Sequence, residues 1–417
     1  MPFTRLGWLS VKNGDRQVGS TRLFAGSFRI SLSDITISAA PVEASGSALA
    51  WPPLEPLAVA RQLRPLLPAE AFKTDPARLG LIPINLAILA LGWQIASQLD
   101  RLPLAALLLW LPFAVVMGNS VFVLGLLAHD LMHGSLPRQR PLRRLVGLVA
   151  FSVSWMTPTL WQAVHNREHH GHTNGLVDTD RSYLESQPSS WGKRLFRWIA
   201  PSSEVHPLIL ALGMTSAWPL HHFRTTCSVL LFNTANTLFT PAAFQVSKVE
   251  RKAIALELMV VVALHAGLIS WIGLRPVPLL LGYFLPLWVG YAISMVYIYT
   301  NHMLSPLTED NDPLVSSLSL LVPAWIDLLH FNFSHHSEHH VFPGLNTNYY
   351  PKVRELLLAH HPSLFQLMGM GQAWRLMLST PRFYRDAVTL VSSDGTVTMP
   401  VPCLTAEKNL QQPEVAV

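Results

Sequence analysis

Charged side chains are scarce in this sequence. Asp, Glu, Lys and Arg make up only 13% of its 417 residues, whereas half of the residues are hydrophobic and the mean hydropathy is +0.31. Soluble domains usually carry about a quarter charged residues. The composition therefore disfavours a string of soluble domains and indicates that much of the chain lies in a lipid bilayer.

Cysteine is nearly absent as well. The two cysteines, Cys227 and Cys403, are far apart in the chain, and neither belongs to a CxxC motif. This excludes a disulfide framework and a thiolate metal site. A bound metal must therefore have nitrogen and oxygen ligands.

The hydrophobic residues are gathered into four long runs that form two pairs. The first pair is 79–99 and 103–128, and the second is 253–274 and 278–300. Each run has about 20 residues or more, enough to cross roughly 30 Å of hydrocarbon as a helix. Because the loop within each pair is very short, each pair is predicted to enter and leave the membrane on one face. The predicted fold class is an all-α integral membrane protein with two transmembrane helical hairpins.

The distribution of positive charge predicts the orientation of these hairpins. Thirteen Lys and Arg residues lie between them, in 129–252, whereas the two hairpin tips carry only Asp100, Arg101 and Arg275. By the positive-inside rule, the region between the hairpins is cytoplasmic. The pI near 9.3 then reflects orientation and contact with anionic lipid, and no nucleic-acid partner is expected.

The remaining segments are less apolar. Residues 1–50 are predicted to be a polar, disordered leader, 51–378 the membrane domain and 379–417 an accessory tail. Segments 145–161 and 206–245 are broken by prolines and predicted to be interfacial or re-entrant. Two crossings within 206–245 would leave the sidedness unchanged, so a six-span arrangement stays open beside the four-span one.

Histidine is abundant, and eleven of the 18 histidines fall into four stretches that the hairpins place on one face. The stretches are AHDLMHG with His129 and His133; VHNREHHGHTN with His165, His169, His170 and His172; YTNHMLSP with His302; and FNFSHHSEHHVFPG with His335, His336, His339 and His340. The pairs His129/His133, His165/His169 and His336/His340 have i, i+4 spacing, so each is expected to project from one helix face and close on a common ion.

So many imidazoles exceed what one tetrahedral zinc can use. Two metal ions in nitrogen-rich sites within a cytoplasmic helical cap fit better, and imidazole is a good ligand for iron. A lone HxxxH is often only polar helix surface, but three such clusters on one membrane face leave chance as a minor alternative. His206, His221, His222, His330, His360 and His361 are expected at the surface or interface, and His265 is expected to be a neutral packing residue within a span.

The sequences HDLMH, HNREHH and HSEHH, in this order, resemble the three histidine boxes of the membrane fatty acid desaturases. The flanks HHGHTN and NFSHHSEHHVFPG are also similar to that family, and the resemblance covers roughly 79–370. It implies a non-haem di-iron centre beneath two helical hairpins. The ligands that it implies are His129, His133, His165, His169, His170, His336, His339 and His340, with His302 as an additional one.

Other polar residues near the boxes are candidates for supporting roles. His172 and His335 are possible additional or outer residues, and Asn301 is a possible substitute ligand or water holder. Carboxylates that accept hydrogen bonds from ligand imidazoles would fix their tautomers. Asp130, Glu338, Asp178 and Asp180 are the candidates, with ordinary solvated carboxylates as an equal alternative for Asp178 and Asp180.

The resemblance implies an oxidoreductase that takes O2 and two electrons and removes two vicinal hydrogens from an acyl chain, on a membrane lipid or an acyl thioester. The third box begins with His336, where many desaturases fused to cytochrome b5 have Gln, and no HPGG haem-binding motif is present. A separate electron donor of the ferredoxin or cytochrome b5 type is therefore expected. Metal binding is expected to weaken as the pH falls toward the imidazole pKa.

Two other functions remain open from the sequence. A hydroxylase or ketolase acting on an alkane, sterol or carotenoid would use the same boxes, and spacing cannot distinguish it. A histidine-rich metal transporter should carry ionisable ligands at mid-membrane, where this chain has only His265.

Overall fold

The computed structural model describes residues 57–73, 75–134, 140–180, 191–233, 244–309 and 311–405. The predicted leader, 1–50, and the end of the predicted tail lie outside the described residues. The described chain is mostly helical, with five very short strands.

Four helices are long and apolar enough to cross a membrane, which confirms the four predicted spans. They run over Pro76–Ala96, Leu104–Met132, Lys248–Ile272 and Pro278–His302. The third begins earlier than predicted because Ser247 and Glu250 form a capping box, in which each side chain accepts a hydrogen bond from the other's backbone N–H. No further helix in the described part of the chain meets these criteria.

The remaining helices are shorter and surround these four. In chain order the helices are α1 (Ala58–Leu63), α2 (Leu81–Ala96), α3 (Leu104–Met132), α4 (Arg140–Ser152), α5 (Pro158–Trp161), α6 (Trp191–Ile199), α7 (Pro207–Cys227), α8 (Lys248–Ile272), α9 (Leu285–His302), α10 (Pro313–Ser316), α11 (Ala324–Leu329), α12 (His336–Val341), α13 (Tyr350–His360), α14 (Met370–Ser379) and α15 (Pro402–Thr405). The 3-10 turns cover Arg64–Leu66, Ala69–Phe72, Pro76–Gly80, Leu99–Arg101 and Thr347–Tyr349, and the π-helical segments cover Gln162–His169, Ser228–Phe232 and Pro278–Phe284.

The two hairpins pack directly against each other. At their tips Arg275 forms an ion pair with Asp100, so both tips lie on the same side. Helices α3 and α9 approach closely where Gly118 faces Val289: a Cβ atom at Gly118 would lie 2.4 Å from a Val289 methyl group. Glycine is required there because no side chain fits between the two helices.

Helices α4 and α5 pack against the membrane-length helices, α4 on α3 and α8 and α5 on α8. The carbonyl of Ser152, at the end of α4, accepts a hydrogen bond from His265 Nε2 at 2.8 Å, and the Tyr283 hydroxyl lies 2.9 Å from His265 Nδ1. A carbonyl only accepts, so Nε2 carries a proton. His265 is buried and packs between α4 and Tyr283, whereas the interfacial or re-entrant placement of 145–161 stays a prediction.

The strands lie in the part of the chain after α9. Strands β1 (Ser319–Leu321) and β2 (Leu367–Gly369) pair in parallel, and β3 (Phe383–Asp386), β4 (Thr389–Val391) and β5 (Thr398–Pro400) form an antiparallel sheet. Tyr384 of β3 is buried and donates to the Ser305 carbonyl at 2.7 Å. The second sheet therefore packs on the segment that follows α9, whereas the functional boundary at 378 stays a prediction.

Candidate metal centre

Nine histidines converge from four elements of the fold. They come from the end of α3, the π-helical segment after α5, the end of α9 and the short helix α12. Together these elements bring His129, His133, His165, His169, His170, His302, His336, His339 and His340 into one group. These are the nine residues that the sequence analysis singled out as ligands.

The group divides into two clusters, within each of which the ring nitrogens lie within 4.8 Å of one another. Cluster 1 contains His129, His133, His165 and His339. Cluster 2 contains His169, His302, His336 and His340. Each cluster has enough nitrogen donors for one metal ion, and together they imply a metal site with two ions.

His170 lies between the clusters. Its Nε2 is 3.2 Å from Nε2 of His165 and 3.1 Å from Nε2 of His339, both in cluster 1. Its ring centroid is 4.3 Å from that of His340 in cluster 2. The geometry thus groups His170 with cluster 1 and makes the two clusters neighbours.

The second histidine box departs from the predicted helix geometry. The spacing of His165 and His169 predicted that both would bind one ion, but His165 belongs to cluster 1 and His169 to cluster 2. The reason is the π-helical turn Gln162–His169, in which the His170 N–H donates to the His165 carbonyl at 2.9 Å, an i to i+5 bond. The wider turn pairs His165 with His170, and such turns are frequent at functional sites. The i, i+4 expectation holds for the other two pairs.

In several of these histidines Nδ1, the ring nitrogen that points away from the clusters, has a hydrogen-bond partner. Nδ1 lies 3.1 Å from Asp130 in His129, 3.0 Å from Asp178 in His169 and 2.8 Å from the Ser316 carbonyl in His302. In His339 it lies 3.0 Å from the hydroxyl of Tyr350, which itself donates to the Phe342 carbonyl. With Nδ1 bound on the outside, Nε2 is left to face the cluster, which is how metal-binding imidazoles are usually oriented.

The carboxylates near the boxes have different roles. Asp178 is only 1% exposed and also accepts from the backbone N–H groups of Asn174 and Asp180, so the solvated alternative is wrong for Asp178. Asp180 instead pairs with His221, with 3.0 Å between Oδ1 and Nε2. Glu338 is fully buried, accepts from Arg354 at 2.7 Å and lies 3.0 Å from His335 Nδ1.

His172, His335 and Asn301 lie outside both clusters. His172 Nδ1 is 3.2 Å from the Glu168 carbonyl, and His335 contacts Glu338. Asn301 is buried, and its Oδ1 has no hydrogen-bond partner among the described residues. Of these three, Asn301 alone lines the cavity beside the clusters.

Burial favours the neutral form of most of the clustered imidazoles. Burial, reinforced by the neighbouring imidazoles, lowers the pKa well below the usual 6.5 in His133, His165, His170, His336, His339 and His340. His169 is different: burial acts to lower its pKa, but the charge of Asp178 and its hydrogen bond outweigh burial and raise the pKa. Since a metal binds only unprotonated imidazole, this donor set fits iron or another ion that prefers nitrogen.

A cavity of about 170 Å³ adjoins both clusters. His129, His165, His169 and His302 form part of its wall. Along α9 it extends from Gly290 to Met303, roughly 20 Å of helix at 1.5 Å per residue. The end of the cavity near Gly290, within the membrane-spanning helix, is mainly apolar but includes Ser154, Tyr291 and Ser294. The charged residues of the wall gather at the polar end near Met303, together with Thr179 and His221: Asp180, Arg197, Arg224 and Arg382.

Three of the six histidines that were expected at the surface or interface are buried instead. His221 and His222 of α7 are buried, and Arg224 on the same helix is 0% exposed, because α7 packs against α9 beside Asp180. His330 is buried too, with Nδ1 2.8 Å from the Tyr297 hydroxyl and Nε2 3.0 Å from Asn119. The i, i+3 spacing of His221 and Arg224 within an apolar helix was the available signal for a shared buried face.

Four membrane-length helices beneath two histidine clusters define a multi-pass membrane protein with a metal site. The profile of the fatty acid desaturase family matches residues 105–367, which is more than half of the chain. The chain therefore belongs to the fatty acid desaturase family, as the histidine boxes predicted, and it is an oxidoreductase of that family.

Two curated relatives support this assignment. The chain is 24% identical over 306 residues to the sn-1 acyl-lipid omega-3 desaturase (ferredoxin) of Synechocystis sp., an alignment that covers 68% of this chain and 76% of that protein. It is 29% identical over 129 residues to the omega-3 fatty acid desaturase fat-1 of Caenorhabditis elegans, covering 31% of each chain.

Proposed function

We propose that this desaturase binds one iron ion at each histidine cluster and uses O2 to introduce a double bond into the acyl chain of a membrane lipid. The observation that carries the proposal is the contact between two clusters of buried imidazoles and a largely apolar cavity. In such a cavity an acyl chain is removed from water and held against the ligands.

The proposed ligands follow from the grouping of the nitrogens. His129, His133, His165, His170 and His339 would hold one ion, and His169, His302, His336 and His340 the other. Asp130, Asp178 and Tyr350 would orient three of these imidazoles from outside. Asn301, with an unpartnered buried oxygen in the cavity wall, would bind a water or a polar substrate atom.

When bound, the two irons would activate O2 as the oxidant, a role that no amino-acid side chain provides. In the balanced reaction, one O2, two electrons, two protons and two adjacent methylene groups give one alkene and two waters. The chain's own contribution is to place two methylene groups beside the ligand histidines in the cavity wall, to exclude bulk water with Phe151 and Trp161, and to fix the ligand tautomers.

A lipid-bound acyl chain is proposed as the substrate. The polar end of the cavity carries Thr179 and Tyr299, whose buried hydroxyls have no hydrogen-bond partner among the described residues. These hydroxyls could form hydrogen bonds with the ester or headgroup of a lipid, because a buried hydroxyl without a partner is energetically unfavourable. The acyl-lipid specificity in the name of the cyanobacterial relative points the same way.

A ferredoxin-type protein is proposed as the electron donor, and the metal centre is proposed to face the cytoplasm. The name of the cyanobacterial relative contains ferredoxin, and this sequence has no HPGG haem-binding motif. The cytoplasmic assignment is supported by the thirteen Lys and Arg residues between the hairpins.

The proposal is tested by expression in a host with simple lipids, followed by mapping of new double bonds by mass spectrometry and measurement of iron in the purified protein. We expect an alkene product and two irons per chain. His336→Ala should abolish desaturation and reduce bound iron, because His336 contacts two other members of cluster 2.

His172→Ala is the matched control, since His172 lies in the histidine-rich stretch of the second box but belongs to neither cluster. This variant should retain both desaturation and bound iron. An oxygenated product without an alkene would replace desaturation by hydroxylation, and cellular metal uptake with unchanged lipids would indicate transport. Full activity of His336→Ala would refute the assignment of the third box.

A further inference from the structure

Gly125 occupies an unusual place in α3. It lies four residues before His129 and lines the cavity that adjoins the metal centre. A Cβ atom built on Gly125 would meet no other heavy atom within 4 Å. Gly118, on the same helix, would instead collide with Val289.

Neither backbone geometry nor helix packing therefore requires glycine at position 125. It lies inside a regular helix, where glycine is less favourable than alanine. An alanine would fit the protein there and would stabilise the helix. What glycine provides at this position is empty space in the cavity.

That space lies on the route between the membrane end of the cavity and the metal centre. Val121, Gly125 and His129 are spaced by four residues and share one face of α3, and all three line the cavity. On α9 the cavity wall includes Tyr291, Ser294 and Met295. A chain that reaches His129 from the membrane end must pass Gly125.

We propose that Gly125 is a specificity-determining residue, whose missing side chain leaves room for the methylene groups of the acyl substrate next to the metal centre. The inference rests on the proposed function, in that it takes an acyl chain as the occupant of the cavity. A side chain at position 125 fills that room, so fewer or shorter acyl segments fit beside the ligands.

The test compares Gly125→Ala and Gly125→Leu with the same substitutions at Gly267. Gly267 lies within the membrane-spanning helix α8, and a Cβ atom there also meets nothing within 4 Å. It is exposed on the outer face of the helix and does not line the cavity. The two positions therefore match in local geometry and differ in the space into which they open.

The readouts are the amount of protein in the membrane, iron per chain, the rate of double-bond formation and the distribution of product chain lengths. Because a leucine side chain would occupy the space proposed for the bound acyl chain, Gly125→Leu should lower the rate about tenfold or more while iron is retained. Gly125→Ala should lower it less and shift the products toward shorter chains. Both Gly267 variants should remain within about twofold of the wild type, as expected for exposed sites.

An unchanged rate and product distribution in an iron-loaded Gly125→Leu protein would overturn the inference. If the leucine variant fails to accumulate or loses iron, Gly125→Ala decides: unchanged products in that variant would equally overturn it. Failure of the proposed function is distinguishable, because the wild-type protein itself would then produce no alkene.

Discussion

The two histidine clusters are supported by different kinds of contact. In cluster 2, Asp178 holds His169, the Ser316 carbonyl holds His302, and Thr173 lies 3.3 Å from Nδ1 of His340. In cluster 1, Asp130 contacts His129 and Tyr350 contacts His339. The outer support of cluster 2 is thus more complete and more deeply buried.

The carboxylates that contact a histidine of each cluster, Asp178 in cluster 2 and Asp130 in cluster 1, also differ in their burial and in their own partners. Asp178 is fixed by two backbone N–H groups of its own turn and is 1% exposed. Asp130 is partly exposed and forms an ion pair at 3.5 Å with Arg78, which comes from the segment before α2. Cluster 2 therefore depends on one local turn, whereas cluster 1 depends on a long-range contact.

The largest expected effect is that of Asp178→Asn. The amide loses the negative charge and presents N–H groups where backbone donors already point, so His169 loses its orientation. Outer-partner changes of this kind typically cost about 10- to 100-fold in metal affinity or activity. Iron retained after dialysis against a chelator should fall from two toward one per chain.

Asp130→Asn is the matching change at cluster 1 and should cost less, because Asp130 is more exposed. The exposed Asp386→Asn on β3 serves as the neutral control. Equal iron loss in the Asp178 and Asp130 variants would contradict the proposed difference between the clusters.

The pH dependence of iron binding should also separate the clusters. Burial first, and neighbouring imidazoles second, lower the pKa of His133, His165 and His339 in cluster 1, so these residues stay neutral well below pH 6.5. Protonation of these three residues should therefore not weaken metal binding between pH 7.5 and 6.5. For these three residues, the acid loss of metal is expected below the ordinary imidazole pKa, at which the sequence alone predicted weakening.

Cluster 2 contains His169, whose pKa is raised because Asp178 outweighs burial. The folded apo-protein therefore takes up a proton at His169 before the other three members of cluster 2, whose pKa values are lowered, and this proton competes with the metal as the pH falls. The affinity of cluster 2 should fall by at most about tenfold per pH unit, the slope of one displaced proton. Iron titrations at several pH values test this, and an identical slope at both clusters would contradict it.

The spans and the histidine boxes were predictable because their signals are local. The hydropathy of a run such as 103–128 is enough to predict a membrane span. The i, i+4 spacing of His129/His133 and of His336/His340 is enough to predict that each pair shares one helix face. These signals suffice for four membrane helices, whereas the full set of nine candidate ligands was implied by the resemblance of the boxes to the desaturase family.

The division of the second histidine box between the two clusters was not predictable from the spacing of its histidines. In the π-helical turn the backbone hydrogen bonds span five residues, whereas those of a regular α-helix span four. This change places His169 in cluster 2, although His165 lies in cluster 1. Periodicity analysis assumes a regular helix and cannot register this shift. Likewise, the support given by the Ser316 carbonyl is a backbone contact that any residue at 316 would provide.

The burial of α7 was missed for a different reason. His221 and Arg224 read as interfacial because cations are rarely buried without partners. Asp180, which pairs with His221, lies about forty residues earlier and meets it only in the folded chain. The i, i+3 spacing of His221 and Arg224 indicates a shared helix face, but it does not indicate which residue that face meets.

The smallest expected effect concerns the long-range support of cluster 1. Arg78 pairs with Asp130, donates to Thr347 and to Asn348 at 2.5 Å, and lies 5.1 Å from the ring of Phe331. It thereby connects the first histidine box with both flanks of the third, although it precedes the residues matched by the family profile.

Arg78→Gln should weaken iron binding at cluster 1 by about fivefold, since a partly exposed charged contact is worth roughly 1 kcal/mol. Arg78→Lys should restore part of the affinity, because it keeps the charge near Asp130 but loses the forked geometry of the guanidinium. Arg64→Gln is the matched control, as Arg64 lies in the same segment but stacks on Phe72, away from the clusters. If Arg78→Gln and Arg64→Gln retain iron equally, cluster 1 does not depend on the segment before α2, and its support reduces to Asp130 and Tyr350 alone.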